Sequence, residues 1–312
     1  MSLADSAKSL LESCMGVRPN EQVLVVTDNN RIKIGQALYD AAEALGANPL
    51  LLCMPSAGVS GQEPPPAVAA AMRESDVVLC PTTHSLTHTK ARIDAAANGA
   101  RIATMPGITE SMFLQGAITA DYREVELLTL SLVQRLTDAS TAVIKKDGHS
   151  LTLSLAGRNG VASTGVYTQP GQGGNLPSGE AYIAPLENAS HGSMVIDGSM
   201  VGVGKLSAPL TVWVENGCLT HIEGESADKL NVLLENPKNG VLCELGIGTN
   251  HKAILCGIIL EDEKIYGTVH IAFGTNISFG GTNHAGCHMD GVILRPTLLL
   301  DGKIVLQDGV FV

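Results

Sequence analysis

Apolar runs and amphipathic segments alternate through the first 140 residues. Continuously apolar runs such as V-L-V-V-T at 23–27 and V-V-L-C at 77–80 are each followed by a segment with helical periodicity. Apolar strands that alternate with helices are typical of a parallel sheet whose two faces are covered by helices. We therefore expect residues 1–140 to form a doubly wound α/β domain.

The pattern changes after residue 140 to short strands with alternating polarity, separated by turn dipeptides. N-G at 216–217 and D-G at 301–302 and 308–309 are hairpin signals. This pattern predicts that residues 141–312 form an α+β domain with mostly antiparallel strands. The segment 121–136 has the periodicity of a long amphipathic helix, which we expect to link the two domains.

The composition excludes several classes of protein. The 312 residues carry a formal charge of −11 and only 3% aromatic residues, so the chain lacks the basic surface and stacking rings that nucleic-acid binding requires. Apolar runs fall well short of the about 20 residues of a spanning helix, so no membrane segment is expected. The N-terminus has no basic region followed by an apolar stretch, and we expect a cytoplasmic protein.

Familiar nucleotide, zinc and disulfide motifs are also absent. The first strand is followed by T-D-N-N-R instead of G-x-G-x-x-G, and no G-x-x-x-x-G-K-[ST] occurs. The seven cysteines are scattered without a C-x-x-C pair, which favours free thiols over a zinc ribbon or a disulfide framework. A catalytic or binding site must therefore be formed by residues outside these motifs.

Ligand-type side chains stand in apolar or glycine-rich surroundings in the C-terminal half. In G-C-H-M-D-G, the period of two along a strand puts His288 and Asp290 on the same face. His270 lies in G-T-V-H-I-A-F-G, Glu244 in V-L-C-E-L-G-I-G, and Glu180 in N-L-P-S-G-E-A-Y. Such groups are expensive to bury without partners. A metal ion would be such a partner. The alternative interpretations are a His–Asp hydrogen bond within a strand, a histidine whose hydrogen bonds are satisfied in the core, and a glutamate exposed in a turn.

Together these residues offer three carboxylates and two imidazoles. Mixed nitrogen and oxygen donors suit zinc, manganese, cobalt or ferrous iron. Three carboxylates in one pocket would repel each other unless one or two divalent cations neutralised them. The sequence therefore predicts a metal site.

The segments that carry these residues resemble a known family. N-L-P-S-G-E-A-Y-I-A-P, E-L-G-I-G-T-N, G-T-V-H-I-A-F-G-T-N and G-G-T-N-H-A-G-C-H-M-D resemble, in order and spacing, the metal-site motifs of the thermophilic metalloaminopeptidases. S-L-T-H-T-K-A-R and A-T-M-P-G-I-T resemble the N-terminal α/β domain of that family, so the resemblance covers most of the chain. It implies a homodimer that binds two metal ions through two glutamates, two histidines, an aspartate and a tyrosine.

Matched motif by motif, five of those six ligands correspond to residues of this chain: Glu180, Glu244, His270, His288 and Asp290. Ile277 stands at the position of the tyrosine, seven residues after the first histidine, and it can neither ligate a metal nor donate a hydrogen bond. A branch on the same scaffold, which resembles 2,5-dihydroxypyridine 5,6-dioxygenase, uses one ferrous iron held by histidine and carboxylate ligands.

The main functional hypothesis is a metal-dependent hydrolase of the aminopeptidase type, acting on a short peptide or amide with zinc, cobalt or manganese. Glu180, His270, His288 and Asp290 would hold the metal that activates water, and Glu244 would bridge two metals or act as general base.

Two alternatives remain beside the hydrolase. The first is a ring-cleaving dioxygenase with one ferrous iron on His270, His288 and Asp290; the second is a non-catalytic metal-binding relative. His284 and Lys252 are candidates for contacts with a small-molecule substrate, although a solvated loop histidine and a solvated lysine are the plainer interpretations.

Overall fold

In a computed structural model, which describes residues 2–312, the chain divides into two compact units. The N-terminal unit extends to Glu126 and also contains Gly165–Ser178, whereas the C-terminal unit consists of Leu127–Thr164 and Gly179–Val312. Each unit therefore contains two stretches of the chain, while the division expected at residue 140 was a single break.

The α-helices in the described part of the chain are α1 (Leu3–Ser9), α2 (Ile32–Ala44), α3 (Pro66–Arg73), α4 (Lys90–Ala97), α5 (Glu110–Gln115), α6 (Tyr122–Asp138), α7 (Val232–Glu235) and α8 (Ile259–Asp262). Shorter 3-10 or π-helical turns lie at Leu10–Cys14, Ala117–Thr119, Ala227–Leu230 and Ile277–Phe279. Within residues 2–312, no helix combines the length and the hydropathy needed to cross a membrane.

The strands are β1 (Gln22–Asp28), β2 (Asn48–Met54), β3 (Val77–Thr82), β4 (Arg101–Pro106), β5 (Thr141–Lys146), β6 (His149–Ser154), β7 (Val161–Ser163), β8 (Gly173–Asn175), β9 (Glu180–Ile183), β10 (His191–Ile196), β11 (Ser199–Met200), β12 (Gly204–Lys205), β13 (Leu210–Glu215), β14 (Cys218–Glu223), β15 (Leu242–Gly248), β16 (Val269–Gly274), β17 (His288–Ile293), β18 (Thr297–Leu300), β19 (Lys303–Gln307) and β20 (Val310–Phe311). They form one sheet in the N-terminal unit and two in the C-terminal unit.

The sheet of the N-terminal unit has the order β2-β1-β3-β4-β8, and all its pairings are parallel. Residues of β1 and β3 are buried almost throughout, as expected for strands that helices cover. Helix α4 begins where the Thr89 hydroxyl accepts a hydrogen bond from the Arg92 amide. The predicted doubly wound α/β domain is confirmed.

The C-terminal unit contains two antiparallel sheets, with the orders β14-β13-β10-β6-β5-β18-β19-β20 and β12-β11-β17-β16-β15-β9-β7. One hydrophobic core joins them: Leu151 and Ile196 of the first sheet belong to the same buried cluster as Ile247 and Phe273 of the second. The predicted antiparallel α+β architecture is confirmed, and the predicted helix over 121–136 is α6.

All three hairpins predicted from turn dipeptides are present. Asn216, Asp301 and Asp308 have φ values of 50°, 46° and 50°, and the glycine after each has a φ of 75° to 83°. Two successive residues with positive φ define the tight turn that suits the right-handed twist of paired strands. These turns fix the registers of β13 with β14 and of β18, β19 and β20.

Two of these hairpin glycines should respond differently to alanine. Gly302→Ala should cost about 1 kcal/mol of unfolding free energy, because the space around Gly302 is open and only the positive φ is strained. Gly217→Ala should cost about 3 kcal/mol, because its Cβ would also overlap the carbonyl group of Glu187. Urea denaturation of both variants measures the difference, and equal losses would contradict this packing.

Candidate metal centre

The five side chains predicted as ligands lie on one face of the seven-stranded sheet. Glu180 is on β9, Glu244 on β15, His270 on β16, and His288 and Asp290 on β17. These four strands are neighbours in the order β17-β16-β15-β9. Because alternate residues of a strand point to the same side, the register brings all five side chains together.

The opposite face of the same strands is apolar. Leu245 and Ile247 of β15 and Ile271 and Phe273 of β16 are fully buried in the core of the C-terminal unit. A slip of one residue would turn the carboxylates into this core and expose the aliphatic side chains. Core packing therefore determines which residues face the centre.

Glu244 lies between the two imidazole rings. Its Oε1 is 3.3 Å from His270 Nε2 and its Oε2 is 3.2 Å from His288 Nε2. His270 Nε2 also lies 3.4 Å from Glu180 Oε2, and His288 Nε2 lies 3.4 Å from Asp290 Oδ1. The five side chains thus form one continuous chain of contacts.

The centre is buried on all sides but one. Glu180, Glu244 and Asp290 are 6% to 7% exposed and His270 is fully buried, whereas 30% of the His288 side chain is accessible. A small molecule from solvent therefore meets the centre at His288.

The ring nitrogens indicate what the rings can bind. The Thr275 carbonyl oxygen, 2.9 Å from His288 Nδ1, can only accept a hydrogen bond, so Nδ1 carries the hydrogen. In a neutral ring, Nε2 then presents a lone pair to the carboxylates of Glu244 and Asp290, and only a proton or a metal ion between them removes the repulsion. A ring whose remote nitrogen donates to a carbonyl is the usual arrangement of a metal-binding histidine.

Protons stabilise this cluster when no metal is bound. Burial by itself would lower the pKa of His270, but the hydrogen bond to Glu244 and the charges of Glu180, Glu244 and Glu263 raise it to about 9. Burial would raise the pKa of Glu244, but its hydrogen bonds with His270 and His288 lower it to about 2. The carboxylates therefore bind a positive charge in this pocket, as a divalent metal ion would supply. The donor set fits a metal.

Two further residues of the centre, Glu263 and Lys264, were not predicted. Lys264 is fully buried, and its Nζ lies 2.5 Å from Glu180 Oε1 and forms a second ion pair with Glu263. Ligand atoms of Glu180, Glu263 and His270 lie within 4.8 Å of one another, as do those of Glu244, His270 and Asp290. His270 therefore belongs to two groups that could hold a metal.

The surroundings of Glu263 and Lys264 explain why pattern analysis missed them. The run E-D-E-K at 261–264 resembles a solvated surface turn, yet Glu261, Asp262 and Lys264 are at most 1% exposed. Asp262 accepts hydrogen bonds from the amides of Cys256 and Gly257. The apolar residues on both sides of the run, I-I-L at 258–260 and Ile265, were the available signal of burial.

Gly246 makes room for His270. The two residues face each other across β15 and β16, and a Cβ on Gly246 would overlap the imidazole ring. The glycine of E-L-G-I-G therefore has a steric role, since only a hydrogen atom fits beneath the ring.

The remaining residues predicted for the site lie on exposed loops. His284 is on the loop that leads to β17 and Lys252 on the loop after β15. Their contacts with a substrate stay predictions. Ile277 is 54% exposed and lies in the turn Ile277–Phe279, with Phe279 close to His288.

Comparison with known proteins identifies the family. The family model NicX, 2,5-dihydroxypyridine 5,6-dioxygenase, matches residues 2–312. The chain belongs to this family.

Related proteins agree with the assignment to the NicX family. The 2,5-dihydroxypyridine 5,6-dioxygenase of Pseudomonas putida is 25% identical over 191 residues, an alignment that spans 54% of this chain and about half (53%) of that protein. The structure of the 2,5-dihydroxypyridine dioxygenase from Pseudomonas putida KT2440 matches 99% of this chain and 96% of its own with a TM-score of 0.82 at 20% identity. AmpT from Thermus thermophilus matches 99% of this chain and 98% of its own with a TM-score of 0.74 at 16% identity, which shows a shared fold.

The family assignment corrects the main functional hypothesis. The prediction of an aminopeptidase-like hydrolase is wrong, because the family match over the whole described chain points to a dioxygenase. The prediction weighed five shared ligand types above the missing tyrosine, whose place is taken by the exposed aliphatic side chain of Ile277. The prediction of an enzyme and that of a metal cofactor are supported by the family match and by the groups of ligand-type side chains. Zinc, cobalt and manganese were predicted for the hydrolase, and the comparisons do not identify the metal.

Gly246→Ala should lower metal affinity by about tenfold or more, because the new methyl group displaces the His270 ring from the centre. Metal content per chain after dialysis against graded chelator measures this effect. Gly286→Ala is the matched control, since the space around Gly286 is open. Equal metal retention by Gly246→Ala and the control would contradict the steric role of Gly246.

The thermal stability of the metal-free protein should fall as the pH rises from 6.5 to 9. The pKa of His270 is about 9 in the folded protein against an ordinary value of 6.5, so its protonated ring stabilises the fold fully below pH 6.5 and no longer above pH 9. We expect Tm to drop by roughly 5 °C over this interval. Bound metal replaces the protons and should flatten the profile.

Two histidine variants test the assignment of this pH effect. His270→Gln should make the Tm profile of the metal-free protein less steep, with the remaining slope due to His288 and Glu263, whose pKa values are also raised. His221→Gln, at an exposed ion pair with Glu223, should keep the slope of the parent. A parent Tm that rises over this interval would contradict the prediction.

Proposed function

We propose that this chain is a dioxygenase that opens a dihydroxylated pyridine ring with dioxygen and one ferrous iron. The observation that carries the proposal is the family match over residues 2–312, which coincides with two imidazoles and a carboxylate, His270, His288 and Asp290, on one buried sheet face. Two histidines and one carboxylate are the usual ligands of non-haem ferrous iron in oxygenases. The absence of a tyrosine ligand at Ile277 agrees with this chemistry.

Some residues of the centre would bind the iron, and others would position those ligands. His270, His288 and Asp290 would hold the iron, which supplies the one-electron chemistry that dioxygen needs to react with a closed-shell ring. Glu244 contacts Nε2 of both histidines and fixes their spacing. Lys264 neutralises Glu180 and holds it beside His270.

The open side at His288 determines how the substrate approaches. A planar ring would meet the accessible imidazole edge, while the buried carboxylates behind it would attract positive charge and accept hydrogen bonds from ring hydroxyl groups. The substrate is thus a small hydroxylated aromatic molecule. A homodimer, a cytoplasmic location and the absence of nucleic-acid partners stay predictions from the sequence.

Oxygen consumption tests the proposed reaction. The purified protein, loaded with ferrous iron, should consume dioxygen when 2,5-dihydroxypyridine is added, and labelled dioxygen should place both oxygen atoms in a ring-opened product. A fully iron-loaded protein that neither consumes dioxygen nor changes this substrate would overturn the proposal.

Variants of two nearby histidines connect this reaction to the centre. His288→Ala should lower iron retention and oxygen consumption by about 100-fold, because it removes a ligand. His284→Ala, four residues earlier on the exposed loop, should retain its iron. Iron binding unchanged in His288→Ala would refute this assignment of the ligands.

A further inference from the structure

An aromatic pair borders the open side of the metal centre. The ring of Phe279 meets the ring of His288 edge to face, with centroids 6.0 Å apart and an interplanar angle of 88°. The ring of Tyr182 meets Phe279 in the same manner, at 5.4 Å and 74°. Tyr182 follows Glu180 by two residues on β9, so both side chains project from the face that carries the centre.

This pair is not part of the hydrophobic core. Phe279 and Tyr182 are half-buried, and neither belongs to the cluster of buried residues that joins the two sheets. Phe279 thus lies beside His288, the accessible ligand, and Tyr182 lies against the other end of this contact. Aromatic rings attract other aromatic rings in edge-to-face or offset geometry, so the pair suits a planar aromatic molecule.

An internal ion pair holds the loop that carries Phe279. Arg158 Nη2 lies 2.6 Å from Glu187 Oε2, and Arg158 Nη1 donates to the carbonyl of Gly280, next to Phe279. The Oε1 atom of Glu187 accepts from the Thr282 amide at 2.6 Å and from Asn276 Nδ2 at 3.1 Å. The ion pair thus binds the chain on both sides of Phe279.

The side chain of Asn276 also stabilises this loop, because it links the chain before Phe279 to the chain after it. It is fully buried, and its Oδ1 accepts a hydrogen bond from the Asn283 amide at 2.9 Å. With Glu187 bound to Asn276 and to the backbone beyond Phe279, the ring has little freedom to leave His288. Neither Glu187 nor Arg158 contacts the ligand-type residues themselves, so their effect on the centre passes through the loop.

We propose that Phe279 and Tyr182 form the aromatic wall of the substrate subsite, and that the Glu187–Arg158 ion pair is a positioning device for this wall. The ligand is a planar, hydroxylated aromatic ring that lies against Phe279 while its polar edge faces His288. This inference rests on the proposed function for the identity of the substrate, and on the ring geometry for the location of the subsite.

Kinetics of Phe279 variants test the wall. Phe279→Leu should raise KM for 2,5-dihydroxypyridine about fivefold through the loss of the ring contact, with kcat and iron content within twofold of the parent. Phe279→Tyr restores the ring and should restore KM. Ile277→Ala, at an exposed position of the same turn, is the matched control and should leave KM unchanged.

The positioning pair has its own readout. Glu187→Gln removes the charge that Arg158 binds, so KM should rise as in Phe279→Leu and amide hydrogen exchange should speed up across residues 276–283. Arg158→Lys keeps the positive charge opposite Glu187. Its KM should therefore lie closer to the KM of the parent than the KM of Glu187→Gln does. A rise in KM without faster exchange in this segment would overturn the positioning role.

A binding measurement separates this inference from the proposed reaction. 3-Hydroxypyridine, titrated calorimetrically into the iron-loaded protein without dioxygen, should bind Phe279→Leu more weakly than the parent or Ile277→Ala. If Phe279→Leu binds 3-hydroxypyridine more weakly but 2,5-dihydroxypyridine is not oxidised, the aromatic subsite is supported and the proposed reaction is refuted. If 3-hydroxypyridine binds all three proteins equally, or does not bind the parent, the aromatic wall is refuted.

Discussion

The repulsion among buried carboxylates is the constraint on which the rest of the centre depends. Glu180, Glu244, Glu263 and Asp290 share one pocket with the permanently charged side chain of Lys264. Such a concentration of negative charge persists in a folded protein only if cations or protons balance it. The neighbouring carboxylates raise the pKa values of His270, His288 and Lys264, so that these groups carry positive charge that balances the pocket. A divalent metal ion would balance the same negative charge.

The sheet tolerates this charge because its other face is strongly apolar. Leu245, Ile247, Ile271 and Phe273 alternate with the site residues and bury themselves in the core between the two sheets. Since the two faces alternate residue by residue, hydrophobic burial stabilises the register that brings the carboxylates together. Apolar burial on one face thus offsets the electrostatic repulsion on the other.

Strand faces and hairpin turns could be predicted from the sequence because they depend on the local pattern of residues. Period-two alternation located His288 and Asp290 on one face, and Asn-Gly and Asp-Gly pairs located three hairpins. Glu263 and Lys264 were missed because charged residues in a short turn look solvated until tertiary packing encloses them. Glu187 and Arg158 were missed because their contacts join segments 29 residues apart, which no local pattern records.

The loop after β16 adds to the shared fold a set of side chains that border the metal centre. The fold of this chain is shared with AmpT at 16% identity, and a shared fold does not specify a reaction. After β16, this chain has an exposed isoleucine at position 277 and places the ring of Phe279 against His288. Phe279 offers the centre an apolar surface without a hydroxyl group, so it can contact an aromatic substrate but cannot ligate a metal. The loop after β16 therefore gives the open side of the centre, at His288, an apolar border that the strands beneath it do not supply.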